Sequence, residues 1–218
     1  MKDHLIIPFV ANSFADTSSI DEVSDLLNAA TKNSIASQPW DDNYIGSANF
    51  SIAYSKAAVL LKFFIVEESI LARYIEPNDP VFKDSCVEFF IALDNDENYY
   101  NFEFNCKGNC LAGYGSGKEQ RRPVPVSLIG SIKTAARFKS VQVNDMPMIA
   151  WELTIVIPNE AFYFHQDRVF NNRNARVNFY KCGDDLPKPH YLSWSPIEAS
   201  EPNFHLPQFF GNAIFTEN

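Results

Sequence analysis

The sequence predicts an all-β fold: a two-sheet antiparallel β-sandwich with a short peripheral helix near the N-terminus. Three observations carry this expectation. Most apolar segments repeat with a period of two and are separated by turn residues, the pattern of strands that bury one face. Only one long stretch repeats at helical spacing. The chain has 19 Phe and 9 Tyr but only 8 Gly among 218 residues, and flat rings suit a pleated surface. Apolar residues make up 46 %, enough for a substantial core. No repeat, low-complexity tract or linker divides the chain, so residues 1–218 are read as one domain.

The elements follow in order. Residues 19–31 predict a helix, because Ser19 and Glu22 have capping-box spacing and Ile20, Val23, Leu26, Leu27 and Ala30 fall on one stripe. Pro39-Trp40-Asp41-Asp42 then introduces the strands. Phe50, Ile52 and Tyr54 alternate with small or polar residues. Val59 to Val66 is almost continuously apolar, as in a strand covered on both faces. Val87 to Leu93 and Tyr99 to Cys106 flank the polar turn Asp94-Asn95-Asp96-Glu97-Asn98 and read as a hairpin. Trp151 to Ile157 is a strand stopped by Pro158, with a short helical turn at 159–164, and Ala175 to Lys181 is another strand. Trp151 shares parity with Leu153, Ile155 and Ile157, which places it in the core.

Composition excludes some functions. A net charge of −9 repels phosphate backbones and anionic lipids, so nucleic acid is not an expected partner. The compact basic cluster Lys118, Arg121 and Arg122 is too small to change that. No segment reaches the roughly 20 apolar residues that span a bilayer. The start, Met1-Lys2-Asp3-His4 followed by Leu5 to Val10, is a poor signal peptide, because its apolar part is short and contains Pro8. A cytoplasmic location is therefore expected unless a leader has been removed. The four cysteines are expected as free thiols, since Cys106 and Cys110 lack further ligands at zinc spacing.

Strand parity gathers one polar face. Side chains alternate across a strand, so Tyr100, Phe102, Phe104 and Cys106 oppose Tyr99, Asn101, Glu103 and Asn105. Likewise Ala175, Val177 and Phe179 oppose Arg176, Asn178 and Tyr180, and Val87, Phe89, Ile91 and Leu93 oppose Glu88 and Phe90. If these strands share a sheet, one face carries Glu88, Asn101, Glu103, Asn105, Arg176, Asn178 and Tyr180. Amides, carboxylates and a guanidinium beside an aromatic ring suit a sugar, whose hydroxyls need fixed donors and acceptors and whose C–H faces stack on rings. The plainer alternative is the solvated face of an antiparallel sheet, although Asn is depleted in strands. Other readings stay open. Glu88 and Glu103 are candidates for a glycosidase pair, which needs carboxyls about 5–10 Å apart. Asp94, Asp96 and Glu97 are candidates for calcium. Met146, Met148 and His165 offer haem ligands, and Trp40 and Trp194 are candidate sugar platforms. A protein-interaction module is a further class. His4, His165, His190 and His205 form no metalloprotease spacing, and phosphate-loop, dinucleotide and nucleophile-elbow motifs are absent.

The stretch Asn78-Asp79-Pro80-Val81-Phe82-Lys83-Asp84-Ser85-Cys86-Val87-Glu88-Phe89-Phe90, followed by Tyr99-Tyr100-Asn101-Phe102-Glu103-Phe104-Asn105-Cys106-Lys107-Gly108, resembles the central motif of the family 9 carbohydrate-binding modules. Trp151-Glu152-Leu153 with Ile157-Pro158 resembles the family's late strand. Arg176 to Lys181, His190 to Pro196 and Phe204 to Gly211 resemble the closing segments of its stand-alone branch. The resemblance covers roughly residues 40–215. It implies a non-catalytic sandwich module of glycan-degrading, carbohydrate-catabolic systems that binds a mono- or oligosaccharide. Such modules grip sugar between two aromatic rings, hold hydroxyls with polar side chains and carry structural calcium. By motif position Glu88 and Asn178 match polar sugar-binding residues and Phe82 matches one ring. The second ring is missing at its expected place near Lys181, with Trp194 or Tyr180 as candidate replacements.

Overall fold

The computed structural model describes residues 4–10, 19–40 and 44–217; Met1-Lys2-Asp3 of the N-terminal segment and Asp41-Asp42 of the segment before the strands lie outside them. Its elements are β1 (His4–Ile7), α1 (Ile20–Ala29), β2 (Asn33–Ser34), β3 (Ser47–Tyr54), β4 (Ala58–Glu67), β5 (Cys86–Leu93), β6 (Tyr99–Asn105), β7 (Cys110–Gly115), β8 (Arg122–Pro123), α2 (Val126–Ile129), β9 (Lys133–Val143), β10 (Met146–Pro158), β11 (Asn174–Cys182), β12 (Tyr191–Ser193) and β13 (Gly211–Phe215). The larger sheet runs β1-β13-β11-β5-β6-β7-β8, with β12 also on β11, and the smaller runs β2-β3-β4-β10-β9. The sandwich is as expected, with one departure. β1 pairs with β13 in parallel, so the larger sheet is mixed. No helix among the described residues is long and apolar enough to cross a membrane.

The core lies between the sheets. Phe63 of β4, Phe89 of β5, Phe102 of β6, Trp151 of β10 and Phe179 of β11 are fully buried in one cluster. Phe50 and Phe179 stack across the gap with ring centroids 3.6 Å apart. Trp151 is core, as its parity predicts, and its indole N–H donates to Glu67 Oε1 at 2.6 Å. Glu67 Oε2 lies 3.0 Å from Lys181 Nζ, so a buried ion pair closes one end of the sandwich. All four cysteines are buried thiols.

The apolar strand β4 is covered on both faces. Val59, Leu61, Phe63 and Ile65 face the main core, while Leu60 packs under Val23 and Leu27 of α1. That helix starts where the capping box places it. Ser19 Oγ accepts from the Glu22 N–H, and the Ser19 N–H donates to Glu22 Oε2 at 2.8 Å. Lys62, fully buried beneath the helix, is neutralised by Glu152 at 2.7 Å and donates to Ser24 and Asn28. A buried ammonium without such partners would be strongly destabilising.

Candidate functional site

The three strands with the polar residues are adjacent in the larger sheet, in the order β11-β5-β6. Their registers set the outward side chains in rows. Cys182, Cys86 and Asn105 form one, Tyr180, Glu88 and Glu103 the next, then Asn178, Phe90 and Asn101, and then Arg176 beside Ala92. The parity grouping is therefore one contiguous face. It is not a solvated face: every residue of β5 and β6 is buried. Phe90, Tyr99 and Tyr180 pack with Ile197, Phe204 and Phe210 in a second apolar cluster, so the chain after β12 crosses the sheet and covers it.

Several residues expected to meet sugar instead hold this covering chain. Asn178 donates to the Ser195 carbonyl at 3.0 Å and accepts from the Ser195 N–H at 2.9 Å. The Tyr180 hydroxyl donates to the Phe204 carbonyl at 3.1 Å, and its ring stacks on Phe204 at 4.1 Å. Arg176 donates to the carbonyls of Pro207 and Asp96. Asn105 donates to the Tyr74 carbonyl and Asp84 and accepts from the N–H groups of Lys107 and Asn109, which shapes the β6–β7 turn. Trp194 packs edge-on against Phe50 and Phe179 of the main core. Trp40 donates to the Ala199 carbonyl and supports Tyr191 and Phe204 with its ring. None of these six lines the cleft described next. Asn178→Ala is thus expected to cost stability, about 1–3 kcal/mol for the orphaned buried groups, and to leave ligand affinity unchanged. Urea unfolding beside a binding titration checks the split.

Between the covering chain and β6–β7 a cleft of about 300 Å³ stays open. Its lining includes Glu88, Asn101, Glu103 and Cys182 from the sheet, Phe82 and Leu111, Tyr191, Phe204 and His205 from the covering side, and Lys118, Arg121 and Asp184. A relay orders its polar groups. Arg121 Nε donates to Asn101 Oδ1 at 2.8 Å, and Asn101 Nδ2 donates to Glu103 Oε1 at 2.8 Å. The other guanidinium nitrogens bind the carbonyls of Tyr99, Gly113, Gly115 and Gly117, so Arg121 positions the relay. Gly113 and Gly115 leave the room it occupies: a Cβ on Gly113 would sit 3.0 Å from Asn101 Oδ1 and 3.5 Å from Arg121 Nε. Glu103 Oε2 is buried with no hydrogen-bond partner. Burial pushes Glu103 up to about 7 and Glu88 well above the usual carboxylate range, with Cys182 and Glu103 adding to the shift. His205, held to the Tyr99 hydroxyl at 2.8 Å, is lowered to about 3 by burial and by Arg121 and Lys118, so its ring is neutral at pH 7. The cleft thus presents carboxyl, amide and imidazole groups between aromatic walls, without a fixed formal charge of one sign.

The other candidate residues are engaged elsewhere. Asp94 pairs with Arg173 at 2.8 Å, and Asp96 accepts from the Tyr114 hydroxyl and the Asn98 N–H. His165 meets Tyr100 through Nδ1 and Asp96 through Nε2, so either nitrogen that could ligate a haem iron is already engaged. Lys181 turns inward to Glu67, so the position where a second ring was sought does not face the cleft; Tyr191 and Phe204 are the rings that do. These two, with His205, lie on short or irregular segments that carry no period to read. Cys182 had a signal: it continues the outward parity of Asn178 and Tyr180.

A two-sheet sandwich with a small cleft walled by rings and floored by carboxyl and amide groups has the build of a ligand-binding module. The profile of carbohydrate-binding family 9 matches residues 19–215. The crystal structure of a candidate carbohydrate-binding protein from Bacteroides uniformis is 32 % identical, with a TM-score of 0.88, over 99 % of this chain and 100 % of that one. A family 9 module from Caldicellulosiruptor kristjanssonii, solved with cellotriose and with glucose, has the same fold at 11 % identity and a TM-score of 0.61, over 99 % of this chain and 95 % or 97 % of those. No curated protein sequence matches the chain significantly. The chain belongs to carbohydrate-binding family 9, and carbohydrate binding is its function.

Proposed function

We propose that the chain binds a neutral mono- or oligosaccharide, without catalysis, in the cleft over Glu88, Asn101 and Glu103. The observation that carries this reading is Glu103 Oε2, a buried acceptor without a donor on a residue that lines the cleft. Natural structures rarely leave such an atom unmatched, and a sugar hydroxyl supplies what it lacks. Glu88 offers a second carboxyl beside it, and Phe82 and Tyr191, both half-buried, give ring surface for pyranose C–H faces. A volume near the lower end of small-molecule sites favours a single unit or a chain end. Bound cellotriose and glucose in the Caldicellulosiruptor module make β-glucans the first ligands to try. Against hydrolysis stands the placement of the two carboxyls. Glu88 and Glu103 are cross-strand neighbours on one floor, whereas a glycosidase sets its pair on either side of the scissile bond.

Calorimetric titration of the full chain with glucose, cello-oligosaccharides and a wider glycan panel tests the proposal. Saturable binding is expected, weakened in both Phe82→Ala and Tyr191→Ala. Absence of binding across the panel would refute the function. Full affinity in both variants would move the site elsewhere.

A further inference from the structure

We propose that Cys86, Glu88 and Cys182 form a binding site for a zinc-type divalent cation in the floor of the cleft. The two cysteines lie 96 positions apart in sequence, so spacing gives no hint of them. The β5–β11 register sets them directly opposite each other, and Glu88 follows Cys86 by two residues on the same face. One donor atom from each residue lies within 4.8 Å of the other two, and Cys182 Sγ is 3.2 Å from Glu88 Oε1. A tetrahedral zinc site with ordinary Zn–S and Zn–O lengths sets its donors roughly 3.5–3.8 Å apart. Side-chain rotation alone closes the remaining difference, because the strands already fix the backbone.

The donor set also fits the ion. Two sulfurs select a thiophilic metal over calcium or magnesium, and a carboxylate completes a borderline set that zinc accepts. As each sulfur–metal bond forms, the thiol proton leaves to solvent, and Glu88, whose carboxyl burial holds well above the usual carboxylate range, gives up its proton as it coordinates, so about two to three protons are released per ion. Access exists, since Glu88 and Cys182 line the cleft. Water from the cleft would supply a fourth ligand. Glu103, the cross-strand neighbour of Glu88, is 4 % exposed and carries the donor-less Oε2, and a metal-bound water would give it a hydrogen bond. The site shares Glu88 and Glu103 with the saccharide cleft, but its test contains no sugar, so the two readings fail separately.

The full chain, kept reduced and free of oxygen, is titrated with Co²⁺ as a spectroscopic probe. The expected result is an intense near-ultraviolet thiolate-to-cobalt absorption saturating at one ion per chain, with about two to three protons released. Equimolar Zn²⁺ should erase it, and excess Ca²⁺ or Mg²⁺ should not. Cys182→Ala should lose the absorption, whereas Cys110→Ala, altered in the main core, should keep it. A wild-type chain without this absorption overturns the proposal whatever the variants do. So does a band that persists in Cys182→Ala or that yields to calcium.

Discussion

Trp151→Ala should lower the unfolding free energy by about 3–5 kcal/mol, the usual cost of deleting a large buried ring. The indole, on β10 between β4 and β9, is fully buried in the core between the sheets and donates to Glu67, which in turn lies 3.0 Å from Lys181. The variant therefore opens a cavity and also leaves a buried carboxylate short of a hydrogen bond, which places the loss toward the upper end of that range. Lys181 belongs to the strand that carries Cys182, yet its side chain points to the opposite face. At a temperature where the variant stays folded, saccharide affinity should match that of the wild type. Chemical denaturation and calorimetric titration measure the two quantities separately. A stability loss under 1 kcal/mol would mean that the Trp151 site collapses around the smaller side chain.

Glu103→Ala should weaken saccharide binding tenfold or more. A hydrogen bond to a charged group contributes roughly 1.5–3 kcal/mol, and 1.4 kcal/mol corresponds to a factor of ten. The substitution removes the unpartnered Oε2 and also releases Asn101, whose amide is held between Arg121 and Glu103. Arg121→Ala then gives a useful contrast. It leaves both carboxyls in place but frees Asn101 to rotate, so affinity should fall by less than in Glu103→Ala. Equal affinity in Glu103→Ala and wild type would detach the saccharide from this floor.

Much of the sheet was legible in the sequence, because burial on one face writes a period of two. Glu88, Asn101 and Glu103 were grouped by parity alone, and the registers place them side by side. Parity assigns a face but says nothing of what lies above it. Asn178, Tyr180 and Arg176 share that face and spend their polar groups on the covering chain, a contact between segments that no local pattern encodes. The edge strand β9 went unseen for a related reason. Lys133, Arg137, Phe138, Lys139 and Ser140 are exposed, so no buried face imprinted an alternation. Strand β7 also carries no readable alternation, because Gly113 and Gly115 leave room for Arg121 rather than supply buried side chains. The family resemblance anticipated the fold and the general function; the second ring it leaves missing near Lys181 has no local pattern to replace it, because Tyr191 and Phe204 reach the cleft from outside the central strands.

The covering chain has a consequence for how such a module changes its ligand. The carboxyls sit on paired strands whose register is locked by the whole core, whereas Tyr191, Phe204 and His205 belong to a small strand and a loop fastened at a few points by Asn178, Tyr180, Arg176 and Trp40. Loops tolerate replacement far better than the elements beneath them. Pro202, Asn203 and His205 can therefore be diversified while Phe204 keeps its packing on Tyr180 and Trp40, so that the wall is reshaped above the proposed hydroxyl-binding floor. A library confined to those three positions should yield folded proteins with altered sugar preference, whereas diversification of Glu88 or Glu103 should yield mostly non-binders.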